Sequence, residues 1–200
     1  MANANRPSGL SPVQYLNGSP WNGQARQYCI PSADTNAYAI DDPVTLGGSA
    51  DSNGVPTVTL ATAGTGNAIL GSIVSAGGTV DGGPKADFAN LDTIVIPATK
   101  TKAYYVLVAD DPNILYEIQE TSAATQLTAA DVGLIANLNS TAHNGYISGW
   151  QLNATAATTA AHQVRLLGLR RTTSNNVYGA YAKWLVRINN HALANATVGI

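Results

Sequence analysis

Tyr104-Tyr105-Val106-Leu107-Val108-Ala109-Asp110-Asp111-Pro112-Asn113-Ile114-Leu115-Tyr116-Glu117-Ile118-Gln119-Glu120 carries two strand patterns on either side of a turn. Tyr104 to Val108 is an unbroken aromatic and β-branched run, the signature of a strand buried on both faces. Asp110 to Asn113 is turn chemistry. Ile114 to Glu120 alternates apolar and polar, as a half-buried strand does. Together they predict a central antiparallel hairpin.

The same patterns recur in both directions. Gln27–Ile30, Ala37–Ile40, Pro43–Leu46, Val55–Leu60, Ile69–Ser75, Leu91–Ile96, Tyr146–Leu152, His162–Leu169 and Tyr181–Ile188 all read as short strands. In the last, Ala182, Trp184, Val186 and Ile188 share one face, the predicted core face. Asn53-Gly54 between apolar alternations is a hairpin turn, because both residues tolerate φ > 0. Gly71 marks a bulge or a close approach. Thr128 to Asp131 reads as an N-capped helical turn. Residues 76–90 read as a Gly/Asp surface loop, and 153–161 as a loop or a single helical turn. No fixed-period repeat stands out. The expected fold is all-β: an antiparallel jelly-roll or a β-barrel/sandwich, with one or two short helical turns.

Two segments follow: an extended N-terminal arm, 1–25, and a β-rich domain, 26–200, with two small β-lobes possible, meeting near 76–90. Pro7, Pro12 and Pro20 break any helix or inner strand in the arm. Yet Leu10, Val13, Tyr15, Leu16 and Trp21 punctuate it, and a flexible linker has no use for them. Each gains ~1.5–3 kcal/mol when buried. Either the arm wraps its own domain, or these five residues form an interface with another chain.

Composition narrows the class. The 200 residues include 32 Ala, 20 Thr, 19 Gly and 18 Asn, but only 11% are charged, and the net charge is −2. This excludes a coiled coil, a charge-driven disordered chain and a general nucleic-acid binder. One cysteine, Cys29, permits no internal disulfide, and no CxxC marks a zinc site. No apolar leader and no stretch near ~18 apolar residues is present, so synthesis in the cytoplasm without a membrane span is expected. No acid follows Asp131, while Arg165, Arg170, Arg171, Lys183 and Arg187 do. That end is either an ordinary solvated face or a basic face for an acidic partner.

The chemistry-bearing residues assemble poorly. A Ser148/His143/Asp131 set can be drawn, but the Gly-x-Ser-x-Gly elbow is missing. Asp51-Ser52-Asn53-Gly54 lacks the spacing of a calcium loop. Glu117 and Glu120, three apart on a strand, fall on opposite faces and make no general acid/base pair. Neither an enzyme, nor a metal, nor a cofactor is expected.

Four segments support a resemblance. They are Asp41–Leu46 with Asn53–Val58, Ala63–Val74, Tyr105–Gln119 and Ala182–Asn189. Their order and Asn-rich links resemble the cement, or decoration, proteins of tailed bacteriophages, which sit on shells of HK97-like capsid subunits. The resemblance implies a β-rich, often jelly-roll-like structural protein on the capsid exterior of the virion. It implies the major capsid protein and other copies of the chain, as a homodimer or homotrimer, as partners. It brings no catalytic residues. A phage receptor-binding, tail-fibre or carbohydrate-binding β-domain is the alternative.

Overall fold

The computed structural model describes residues 3–79, 86–87, 95–171 and 176–194. In chain order the strands are β1 (Ser11–Tyr15), β2 (Arg26–Ile30), β3 (Tyr38–Ala39), β4 (Pro43–Ala50), β5 (Pro56–Leu60), β6 (Gly71–Thr79), β7 (Ala86–Asp87), β8 (Val95–Ile96), β9 (Tyr104–Ala109), β10 (Ile114–Gln119), β11 (Ile135–Asn139), β12 (Gln151–Ala157), β13 (Val164–Leu169) and β14 (Lys183–Ile188). A 3-10 turn, Ala129–Asp131, is the helical element among the described residues. Thr128 caps it through a reciprocal pairing with Asp131, as the Thr-x-x-Asp spacing requires. The chain is all-β, and its sheets are almost entirely antiparallel.

The predicted hairpin of β9 and β10 does not form. β9 pairs with β2 and β6, whereas β10 pairs with β1 and β14. Residues 110–113 therefore cross from one sheet to another. The reason is that the two strands serve different cores. Val106 and Val108 face a cluster with Tyr28, Ile30, Val44, Val58 and Ile73. Ile114, Tyr116 and Ile118 face a second cluster with Leu138, Trp150, Leu152, Trp184, Val186 and Ile188. One flat sheet cannot turn both strands into both cores.

Each sheet closes on itself. The first runs β2–β9–β6–β4–β5, and β5 returns to β2 through the parallel pair Cys29↔Thr57. The second runs β10–β14–β13–β11–β12. Its last strand returns through the parallel bridge Glu120↔Leu152, and the Thr121 amide donates to the Leu152 carbonyl at 2.9 Å. With the five strands of each ring lettered a to e in chain order, both follow a-e-d-b-c and close c to a in parallel. The chain thus contains one barrel topology twice.

The repeat extends to register. Tyr28 lies opposite Val106 and Ile30 opposite Tyr104 in the first barrel; Tyr116 lies opposite Val186 and Ile118 opposite Trp184 in the second. Ile73 against Val108 corresponds to Val164 against Ile188. Each d–e ladder carries a one-residue bulge, between Ile73 and Ser75 and between Leu166 and Gly168. β3 and β8 pair over the first barrel and bury Tyr38 and Ile96 in its core. Where two lobes were expected to meet near 76–90, the crossover lies at 110–113; most of 80–94 falls outside the described residues.

Close approach explains Gly71. A Cβ there would lie 1.9 Å from the Ala109 carbonyl oxygen, so the d strand meets the e strand only with glycine at this point. The Asn53-Gly54 turn joins β4 to β5 as expected, with Gly54 at φ 80°. The Asp51 carboxylate accepts from the Asn53 and Val55 amides at 2.8 and 2.9 Å, a turn role. The segment read as Tyr146–Leu152 is displaced: the strand is Gln151–Ala157, extending into the expected loop. Ala154 is buried and Ala156 packs against the second core, so small side chains, not large ones, mark this part of the inner face.

Trp184 is fully buried, and its indole N–H donates to Glu120, just past the end of the neighbouring β10. Trp184→Ala should lower unfolding stability by ~3–5 kcal/mol in urea titration. A loss below about 1 kcal/mol would contradict this assignment of the core face.

Candidate interaction surface

The arm residues separate sharply. β1 pairs along β10, with Ser11 opposite Glu117 and Tyr15 opposite Ile114. Upstream, the Arg6 amide donates to the Gln119 side-chain oxygen at 2.8 Å, and the Gln119 side-chain amide donates to the Ala4 carbonyl at 2.9 Å. The arm therefore fills the wall of the second barrel beside the Glu120–Leu152 seam. It does so because the outer edge of β10 carries backbone groups that need partners.

Leu10 has 0% of its surface exposed and sits in the second core. A side chain so enclosed cannot contact another chain, which corrects the interface expectation for this residue. Val13, Tyr15 and Trp21 are half-buried, the last two packed against the same core. Leu16 is 50% exposed and so free to meet another surface. It borders an open pocket of about 470 Å³ with Tyr15, Asn17, Asp111 and Asn113.

A second site was not visible in the sequence. Tyr146 and Ile147 are 69% and 47% exposed at the tip of a turn. The turn is stiff: the Asn144 side-chain oxygen accepts from both of their amides, at 3.0 and 2.9 Å. Gly145 supplies the left-handed position at φ 95°. A fixed turn that holds an aromatic and a branched aliphatic residue in water resembles an interface anchor. Asn144-Gly145 was the available signal, but the strand-like run after it obscured the turn.

The exposed apolar side chains are unevenly placed. Leu16, Val132, Tyr146, Ile147, Val177, Tyr178 and Leu193 are the large ones exposed among the described residues. All belong to the arm, the second barrel or the segment after it. The described residues of the first barrel contribute none.

The joint between arm and barrels holds a group of titratable residues. Ser11 donates its hydroxyl to Asp41 at 2.6 Å, and the Leu10 amide donates to the Asp41 carbonyl at 2.8 Å. Asp41 adopts φ 68°. Burial pushes its carboxyl up to about 7, helped by Asp42 and Glu117 and opposed by the Ser11 bond. Asp42 is also raised, chiefly by burial. One of its oxygens accepts from the Ala39 amide at 2.7 Å; the other has no hydrogen bond. A pocket of about 260 Å³ lies alongside, lined by Asp42, His143 and Trp150 among others.

The Ser148/His143/Asp131 set drawn from the sequence is not assembled here. The carboxylate near Ser148 and His143 is Asp42, not Asp131, which is held in the Thr128 cap. Ser148 is buried, and its hydroxyl accepts from the Trp150 amide at 3.2 Å. A Cβ at Gly9 would lie 2.5 Å from that hydroxyl, so the arm seals the serine from substrate. Among the described residues no group of three or more His, Cys, Asp or Glu side chains can hold a metal ion. None of the described helical elements is long and apolar enough to cross a membrane. No family model, curated protein or solved structure matches the chain.

Two outcomes are expected. Leu10→Ala should cost ~2–5 kcal/mol of stability, and Leu16→Ala within about 0.5 kcal/mol; equal effects on denaturation would contradict the placement of the arm. Asp41 binds its proton more tightly folded than unfolded, so its contribution to stability falls as pH rises from about 4 to about 7,. Asp41→Asn should therefore gain on the parent across that window, by on the order of 4 kcal/mol. His191, lowered to about 4, acts oppositely in both proteins and cancels in the comparison. A difference that does not change with pH would exclude the buried, protonated Asp41.

Proposed function

We propose that this chain is a structural virion protein: a cement subunit that binds the outside of a tailed-phage capsid and bridges neighbouring capsomers of the DNA-filled head. The major capsid protein and further copies of the chain are its partners, and it has no enzymatic role. The observation that carries the reading is the polarity of the molecule. Among the described residues, its large exposed apolar side chains lie on the arm, the second barrel and the segment after it. The cations after Asp131 lie at the same end of the sequence, whereas residues 1–100 hold seven acids and four bases. A subunit seated on a surface needs one adhesive side and one solvated side. The sequence resemblance and the low charge, suited to an interface depleted of charge at its centre, agree with this.

A receptor-binding or carbohydrate-binding role is the second reading. The pocket beside Tyr15 favours it, since an aromatic ring next to Asp111, Asn113 and Asn17 is a set that sugars use,.

A shell loaded from inside fails at the joints between capsomers. A subunit that binds only the assembled shell shifts the equilibrium toward it by mass action. Heads lacking this protein should assemble but rupture at lower temperature, and the purified protein should restore them. Tyr146→Ala should weaken that rebinding by roughly 10- to 100-fold without changing the unfolding midpoint. Depleted heads as robust as complete ones, with the protein sedimenting among tails, would favour the receptor-binding role.

A further inference from the structure

The outer face of β13 and β14 carries an unusual pair. Arg165 and Arg187 stand directly opposite each other across the ladder. Opposed residues on adjacent strands have Cβ atoms about 4.5–5.5 Å apart, and like charges there repel. Elsewhere on this sheet the cations are neutralised: Glu117 takes Arg170 at 3.1 Å and Lys183 at 2.7 Å. Arg165 and Arg187 form no such ion pair among the described residues. Their hydrogen bonds go to carbonyls instead, of Gly133 at 3.0 Å and of Pro112 at 2.9 Å.

The two arginines border a pocket of about 200 Å³ whose wall includes His191 and Asn189. His191 is 1% exposed. Its Nδ1 accepts from the Leu193 amide at 3.0 Å, so its proton sits on Nε2. Nε2 is buried and makes no well-formed hydrogen bond, the Asp110 carbonyl being the backbone acceptor that acts on the ring. A buried donor without a well-formed hydrogen bond favours the arrival of an acceptor. Burial and the Arg187 charge hold the ring down to about 4, against the smaller pulls of Asp111 and the Asp110 backbone. The imidazole is therefore a neutral N–H donor beside two permanent cations.

We propose that this pocket binds a single small carboxylate. Two guanidinium groups match the planar, two-oxygen acceptor, and His191 in the pocket wall adds a neutral N–H donor. The volume is below the ~300 Å³ at which drug-sized sites begin, so the ligand is one functional group. The charge of Asp111, which reaches His191, disfavours the second negative charge of a phosphate. This assignment stands whether or not the chain belongs to a virion.

The test is side-chain ¹⁵N NMR of the intact protein, titrated with sodium acetate, sodium phosphate or sodium chloride at matched ionic strength. Acetate should shift the Arg165 and Arg187 Nε–H signals saturably and stabilise the His191 Nε2–H signal against exchange. Arg165→Gln, which removes only a surface bond to Gly133, should weaken acetate binding roughly tenfold. Arg187→Gln should do the same, and Arg171→Gln should leave it unchanged. Equal responses to chloride, or acetate binding indifferent to Arg165→Gln, would overturn the site. Tighter binding of phosphate than of acetate would overturn the choice of ligand.

Discussion

Every strand end and edge in this protein answers to one requirement: backbone N–H and C=O groups removed from water must find partners. A sheet of five strands leaves two edges. Here each sheet meets the requirement by curling until strand c reaches strand a. The closing contact is parallel and short, a single pair in one barrel and a bridge in the other. Closure fixes where the cores lie, because the inward faces of the ring strands have nowhere else to point. It also explains β1, which lies on β10 next to the incomplete seam of the second barrel and continues its wall.

The two barrels are joined by polar contacts as well as by apolar ones. Gln163 is fully buried at the start of β13. Its amide nitrogen donates to the Thr62 and Asn67 carbonyls at 2.8 and 3.3 Å, and its oxygen accepts from the Gly64 and Leu138 amides at 3.0 and 3.1 Å. Both donors and both acceptor sites of one side chain are thereby satisfied. The contact tethers the segment after β5 to the second barrel. Ile69 adds a second tether, its amide donating to the Asn190 carbonyl and its carbonyl accepting from the Ala192 amide, both at 2.9 Å. The barrels are consequently held by directional bonds, which set their orientation more narrowly than apolar contact alone.

Strand positions were legible where side chains alternate by size and polarity. Trp184, Val186 and Ile188 declared their face, and Asn53-Gly54 declared its turn. Three features were not legible, each for a physical reason. Ala154 and Ala156 fill an inner face with methyl groups, so polarity alternates too weakly to be seen. The β9–β10 crossover has the same turn residues as a hairpin, and only the separate cores distinguish them. The repeated barrel leaves almost no trace in sequence, because equivalent positions need only be apolar: Ile73 and Val164 are interchangeable in kind, as are Val108 and Ile188. The candidate surface was half legible. Leu16 is exposed as its setting in the arm suggested, whereas Leu10 has the same composition around it and lies in the core. Local sequence cannot tell a residue that reaches a distant β10 from one that does not.

The order of elements also carries a consequence for biosynthesis. The first barrel is one continuous stretch, β2 through β9, and its ring is complete once Ala109 is made. β1 precedes it in the chain yet pairs with β10, about a hundred residues later. At ~5–20 residues per second, the strand waits roughly 5–20 s for its partner. During that interval Leu10, Tyr15 and Trp21 stay without the core they will join. The prolines at positions 7 and 12 suit this wait, since a segment that cannot donate a full ladder is a poor template for pairing with another nascent chain.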